Sequence, residues 1–179
     1  MPPYEVLKSE IIYPGRAFTI RRDHLRLPDG HETKFDIVEH GGSVIILPVD
    51  DQGNLLFVRQ YRHAAGLELL ELPAGNLDEG EDPETCAHRE IREETGMAAG
   101  KMEALGGFYL APGYSTEYMY VYLATDLYSA PLEADADEIL MLDCIPITEA
   151  LEMAASGKLP DAKSLAAFCL AASYLKRLE

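Results

Sequence analysis

Gly75-Asn76-Leu77-Asp78-Glu79-Gly80-Glu81-Asp82-Pro83-Glu84-Thr85-Cys86-Ala87-His88-Arg89-Glu90-Ile91-Arg92-Glu93-Glu94-Thr95-Gly96-Met97 is the stretch on which the reading of this chain turns. It opens with a turn rich in Gly, Asp and Glu. Asp82 offers a helix N-cap, and Pro83 suits the first helical position, where a missing N–H costs nothing. Gly96 can terminate a helix in the left-handed conformation, so the pattern predicts a helix over Pro83–Thr95. At about 100° per residue, Glu90, Glu93 and Glu94 share an arc of about 100°. Ala87 and Ile91 lie on the neighbouring face and would pack against a core.

Carboxylates crowded on one helical arc repel each other unless cations sit among them. Two cation sources are at hand. Arg89 and Arg92 can neutralise the cluster as ordinary surface ion pairs. Alternatively, a hard divalent ion such as Mg²⁺ takes oxygen ligands and typically joins one or two carboxylates to the phosphates of a substrate.

The spacing Gly, five residues, Glu, seven residues, Arg-Glu, aliphatic, any, Glu-Glu, any, Gly, aliphatic resembles the Nudix hydrolase box. The matching positions are Gly75, Glu81, Arg89, Glu90, Ile91, Glu93, Glu94, Gly96 and Met97. The seven identities among them would coincide by chance about once in 10⁸ windows at average residue frequencies. The resemblance implies hydrolysis of a nucleoside diphosphate linked to another group, on a loop–helix–loop that holds divalent metal.

The 179 residues suffice for one domain with a real core, and 47% of them are apolar. No run approaches the length of a membrane span. Met1-Pro2-Pro3-Tyr4-Glu5 shows no basic region followed by an apolar run, so no signal peptide is expected. Cys86, Cys144 and Cys169 are odd in number and widely spaced, as expected of reduced thiols in a cytoplasmic protein. A formal charge of −16 leaves no footprint for a long polyanion, which argues against a nucleic-acid substrate.

Residues 1–40 read as a strand region, with alternation over Ala17–Leu27 and His31–His40 about a Pro28-Asp29-Gly30 turn. Ile11, Ile12, Tyr13 and Phe18 sit in an arm too small to fold by itself. Residues 41–179 read as the main domain. Gly42–Asp50 and Leu55–Tyr61 are expected to form a hairpin about Asp51-Gln52-Gly53-Asn54. Further strands are expected at Leu67–Leu72, Met102–Leu110, Glu117–Leu127 and Glu138–Pro146. Thr148 is expected to cap a short helix ended by Gly157, and Asp161 a longer one running towards Lys176. Strands mostly first, with few helices, indicate an α+β protein. The family resemblance sharpens this to a Nudix fold, an α/β/α sandwich with a mixed sheet and an N-terminal antiparallel strand region.

Outside the box, Val58-Arg59-Gln60-Tyr61-Arg62, Glu71-Leu72-Pro73-Ala74-Gly75 and Ala111-Pro112-Gly113-Tyr114-Ser115-Thr116-Glu117 resemble the ADP-ribose pyrophosphatase branch of that family. Guanidinium forks at Arg59 and Arg62 suit phosphate and ribose oxygens. Pro112-Gly113 makes a rigid turn whose backbone can approach a ligand. Ser115 and Glu117 can hydrogen-bond substrate or a metal-bound water, or serve simply as loop polar residues.

The resemblance implies the remaining roles. The carbonyl of Ala74 with Glu90 and Glu94 would hold Mg²⁺, or Mn²⁺ in its place, and Glu81 and Glu93 would complete the set directly or through water. Glu71 would belong to the substrate-binding group. A glutamate in the acidic loop before the last strand would be the general base, with Glu138 as first choice, Asp137 and Asp135 as fallbacks and Glu93 as competitor. Relatives form homodimers by exchanging N-terminal strands, and the apolar arm here fits that scheme. The five histidines show no metal-ligand spacing, although His63 closely follows Arg62. With no tryptophan, a base-stacking ring would come from Tyr13, Phe18 or Phe35. The expected reaction is cleavage of ADP-ribose to AMP and ribose 5-phosphate. Another nucleoside diphosphate sugar such as GDP-mannose, a damaged nucleoside triphosphate, or a non-catalytic ADP-ribose-binding module are the alternatives.

Overall fold

The computed structural model describes residues 4–133 and 139–178. In chain order the elements are β1 (Glu5–Pro14), β2 (Thr19–Arg26), β3 (Glu32–Glu39), β4 (Ser43–Pro48), β5 (Asn54–Arg62), β6 (Leu67–Glu71) and β7 (Ala74–Asn76). They are followed by α1 (Pro83–Thr95), β8 (Met97–Tyr109), β9 (Tyr118–Ser129), β10 (Leu140–Pro146), α2 (Ile147–Ala155) and α3 (Ala162–Leu175). The chain forms two compact units, residues 1–42 with 109–118, and residues 43–108 with 119–179.

In the first unit, β1, β2 and β3 form an antiparallel sheet. The β2–β3 turn is the expected one: Gly30 adopts φ +86°, and its N–H donates to the Leu27 carbonyl at 2.9 Å. Strand β1 is not among the strands expected from the sequence: it is exposed at nearly every position, so no apolar–polar alternation marks it, and its pairing with β2 shifts register at Val6/Lys8 and Ile11/Tyr13. Arg22 lies bidentate on Asp36 at 2.6 and 2.8 Å across β2–β3.

The second unit holds the core. Ser43–Pro48 is buried at every position, which is the pattern of a strand covered on both faces. It runs parallel to β9 and antiparallel to β7 in a mixed sheet of order β7-β4-β9-β8. Strands β10, β5 and β6 make a separate antiparallel sheet. The expected β4–β5 hairpin is therefore corrected. Its turn exists, with Asp50 N–H donating to Asn54 O at 2.9 Å, but β4 and β5 part into different sheets after one bridge between Val49 and Leu55. The turn chemistry is local, whereas strand partners are chosen by the burial of both faces of β4.

Helix α1 occupies the span the sequence predicts. Asp82 accepts from the Thr85 N–H, and Gly96 closes the helix at φ +71° with its N–H on the Arg92 carbonyl. Cys86, Ala87 and Ile91 pack against Val44 and Ile46 of β4 and against Ala99, Tyr122 and Ala124. On the other side of the core, Phe168 of α3 stacks on Phe57 of β5 with ring centroids 6.2 Å apart. This is the expected α/β/α sandwich with a mixed sheet. Asp161 caps α3 as expected, accepting from the Ser164 N–H at 3.0 Å. The cap expected of Thr148 is corrected: α2 starts after Pro146 without a side-chain cap and places Thr148 inside its first turn. Cys86, Cys144 and Cys169 are free thiols. No helix among the described residues is long and apolar enough to cross a membrane.

Candidate active site

Helix α1 turns Glu90 and Glu94 inward; both are buried. Glu94 Oε2 accepts the Ala74 N–H at 2.9 Å. The Glu90 carboxylate lies against the α-carbon of Gly75, where a β-carbon would meet its Cδ at 1.9 Å. Only glycine allows this approach. Two glutamates one helical turn apart thus grip the short strand β7, which the sequence did not reveal because three residues containing a glycine carry no strand signal.

Arg89 stands among the carboxylates. Its Nη1 donates to Glu90 Oε1 at 2.6 Å and Glu93 Oε2 at 2.9 Å, while Nε and Nη2 form a fork on Glu81 at 3.0 and 2.8 Å. Nη2 also donates to the Asn76 carbonyl at 3.0 Å. Arg89 holds the Glu81 carboxyl down to about 2 against the opposing effect of its burial. At formal charges, three carboxylates and one guanidinium leave this group at −2 (three negatives, one positive). Among the described residues no three Asp, Glu, His or Cys side chains converge as a ready-made metal cage. The donor chemistry nevertheless fits a hard divalent ion, since the group offers carboxylate and main-chain oxygens and an excess of negative charge.

Close by, Arg62 at the end of β5 lies bidentate on Glu71 at 2.8 and 2.6 Å. Glu71 is 1% exposed, and its Oε2 is shared with Lys163 of α3. Glu71 therefore faces Arg62 and Lys163, with no open side. Burial pushes its carboxyl up, but the two cations outweigh this and hold it below the ordinary carboxylate value. Glu94 acts on the Arg62 charge as well. Arg59 lies along the sheet surface, 2.7 Å from Asp143 and 4.0 Å from Glu68.

Pro112, Gly113, Ser115 and Glu117 belong to the other compact unit. There the Tyr114 and Ser115 N–H groups close a turn on the Ala111 carbonyl at 3.0 and 2.9 Å. The Ser115 hydroxyl accepts the Glu117 N–H at 3.1 Å. Tyr13, Phe18 and Phe35 are exposed in the same unit. His63 sits in a surface turn with its ring 6.4 Å from that of Tyr61. Glu138, Asp137 and Asp135 lie outside the described residues.

Sequence reasoning missed Lys163. Its contact with Glu71 spans 92 positions, and nothing local marks it; only the capping Asp161 two residues earlier announces the helix turn that carries it.

The NUDIX domain family matches residues 39–168, well over half of the chain. The chain is 41% identical over 166 residues to an ADP-ribose pyrophosphatase of Mycobacterium tuberculosis (strain ATCC 25618 / H37Rv), covering 91% of this chain and 80% of the relative. It is 33% identical over 144 residues to a GDP-mannose pyrophosphatase of Enterobacter sp. (strain 638), covering 74% of each. A crystal structure of an ADP compounds hydrolase superposes with a TM-score of 0.87 at 26% identity, covering 98% of this chain and 96% of the other. With the glutamate-bearing helix, its capping residues and the sandwich behind it all in place, the chain belongs to the NUDIX family and is a Nudix pyrophosphohydrolase acting on a nucleoside-diphosphate-linked compound.

Proposed function

We propose that this hydrolase cleaves the phosphoanhydride of ADP-ribose with water, releasing AMP and ribose 5-phosphate. The observation that carries the reading is the grip of Glu90 and Glu94 on Ala74 and Gly75 beside an arginine-threaded cluster of net negative charge. Mg²⁺, or Mn²⁺ in its place, held by the Ala74 carbonyl with Glu90 and Glu94 and completed by Glu81 and Glu93 directly or through water, would neutralise the phosphoanhydride oxygens and acidify the attacking water. Arg89 orients the carboxylates, and its contacts to Glu90 and Glu93 are the ones a bound cation would replace. Glu138, or Glu93 in its stead, takes the proton of the attacking water. Arg62 binds a phosphate oxygen of the ribose-phosphate half, and Arg59 lies further along the same strand. Pro112, Gly113, Ser115 and Glu117 form the loop assigned to the substrate, and Glu71 serves through Arg62.

Identity to the ADP-ribose enzyme is both higher and longer than to the GDP-mannose enzyme, which favours ADP-ribose. GDP-mannose is the second reading because that relative matches most of the domain as well. The charge of −16 disfavours nucleic acid. We assign the protein to the cytoplasm and to a homodimer built through its N-terminal strands. An assay of mononucleotide release, read by anion-exchange chromatography over ADP-ribose, GDP-mannose, other nucleotide sugars and nucleoside triphosphates, run with Mg²⁺ and with chelator, tests the reading. ADP-ribose should be cleaved fastest, and only with metal; faster cleavage of GDP-mannose would replace the substrate assignment.

A further inference from the structure

Lys163 lies in the first turn of α3 and is mostly buried, its side chain 13% exposed. Its Nζ contacts Glu71 and, at 3.0 Å, Asp161. Two cations thus converge on Glu71, although a single bidentate arginine already engages both of its oxygens. The docking of α3 does not need the lysine. Asp161 caps the helix through the Ser164 N–H, and the Ser164 hydroxyl accepts the Leu72 N–H at 2.9 Å, which ties α3 to the chain just after Glu71.

What the lysine adds is at Arg62. The guanidinium lies on Glu71 through Nε and Nη2, so its plane follows the plane of the carboxylate. Its Nη1 has no hydrogen-bond partner among the described residues, and the Arg62 side chain remains 41% exposed. A planar fork anchored on one edge and open on the other is the arrangement that presents N–H groups to a phosphate oxygen. Rotation of the buried carboxylate would swing that open edge away. A second donor on Oε2, arriving from a different element, stops the rotation.

We propose that Lys163 is a positioning residue for Arg62: from α3 it locks the orientation of Glu71, and Glu71 in turn aims the open Nη1 edge of Arg62 at a phosphate oxygen of the substrate. This rests on the reading of Arg62 as a phosphate ligand of a nucleoside diphosphate sugar. The lysine does not touch the substrate and has no part in the proton transfer.

The test uses the full chain with Lys163→Met, Lys163→Arg and, should the methionine variant fail to fold, Lys163→Gln. Steady-state kinetics with ADP-ribose and Mg²⁺ should show KM raised about 10-fold in Lys163→Met, with kcat within about 3-fold. Lys163→Arg, which keeps a donor at the same place, should return KM to within about 3-fold of the parent. Solvent exchange of the Arg62 Nε–H, identified by its loss in Arg62→Lys, is read independently by nitrogen-15 NMR. It should be slow in the parent and in Lys163→Arg, and about 10-fold faster in Lys163→Met. A lowered melting temperature with KM and Arg62 exchange unchanged would make Lys163 a mere staple and overturn the inference. If the parent cleaves no ADP-ribose, the substrate reading fails, and the exchange measurement alone still decides whether Lys163 positions Arg62.

Discussion

The carboxylate of Glu90 occupies the space in which a side chain on Gly75 would begin: a β-carbon there would lie 1.9 Å from Glu90 Cδ and 2.0 and 2.3 Å from its two oxygens. Helix α1 and strand β7 therefore meet closely, and the position of one glutamate depends on the absence of one methyl group.

Gly75→Ala consequently forces Glu90 off β7 and out of reach of the backbone oxygens around Ala74. The expected result is a fall in kcat/KM of about 10²-fold or more, with the fold retained, because a misplacement of about 1 Å is enough for such a loss. Circular dichroism checks the fold and initial rates check the activity. An alanine variant with parental activity would mean that Glu90 is not required where it lies.

Glu94→Gln keeps the shape of the side chain and an oxygen that can still accept the Ala74 N–H, but removes a charge from the metal-binding set. Turnover should fall by about 10³-fold while the melting temperature stays within a few degrees of the parent. Titration of Mg²⁺ followed by calorimetry should show weakened binding. Near-normal turnover would count against the metal assignment.

Glu71 carries the pH prediction. Its folded carboxyl lies below the ordinary value of 4.5 because Arg62 and Lys163 outweigh its burial. Its contribution to stability is therefore complete above the ordinary value and lost as pH falls through the lower folded one. Glu71→Gln strands two cations around a neutral group and should cost roughly 2–4 kcal/mol at pH 7. The gap between parent and variant in urea midpoint should hold from pH 7 down to the ordinary carboxylate value and close as pH falls through the lower folded value, where Glu71 protonates in the parent as well. A gap that widens on acidification would contradict the assigned sign.

The antiparallel sheet of the first unit leaves Val6, Ile11, Ile12 and Tyr13 exposed on β1. An edge strand with that much apolar surface calls for a cover, and a second copy of the chain is the proposed one. Light scattering should give twice the chain mass. Ile11→Lys paired with Tyr13→Lys should shift the protein to monomer and lower activity together. A monomeric parent with full activity would refute the exchange.

Much of the site was legible without coordinates because it is local. The caps at Asp82 and Gly96, the Pro83 start and the carboxylate arc of α1 depend on side chains within a few positions of each other, and helix periodicity converts that spacing directly into a face. Arg89 with Glu93 follows the same rule at i and i+4. The β2–β3 turn is equally short-range.

The fully buried run Ser43–Pro48 announces a central strand but not its neighbours, and its turn residues pointed to β5 although the pairing went to β7 and β9. Strand β1 escaped notice because it is exposed almost throughout and so carries no apolar–polar alternation. Residue order alone fixed the helix and the face that carries its charges, since these obey nearest-neighbour geometry, and the chemistry followed from the resemblance of that stretch to the Nudix box. That Glu90 rests on Gly75, that Glu94 takes the Ala74 N–H and that Lys163 reaches Glu71 across 92 positions came from packing. Those partners were selected by which faces had to leave water, a condition set by the whole chain and by no segment of it.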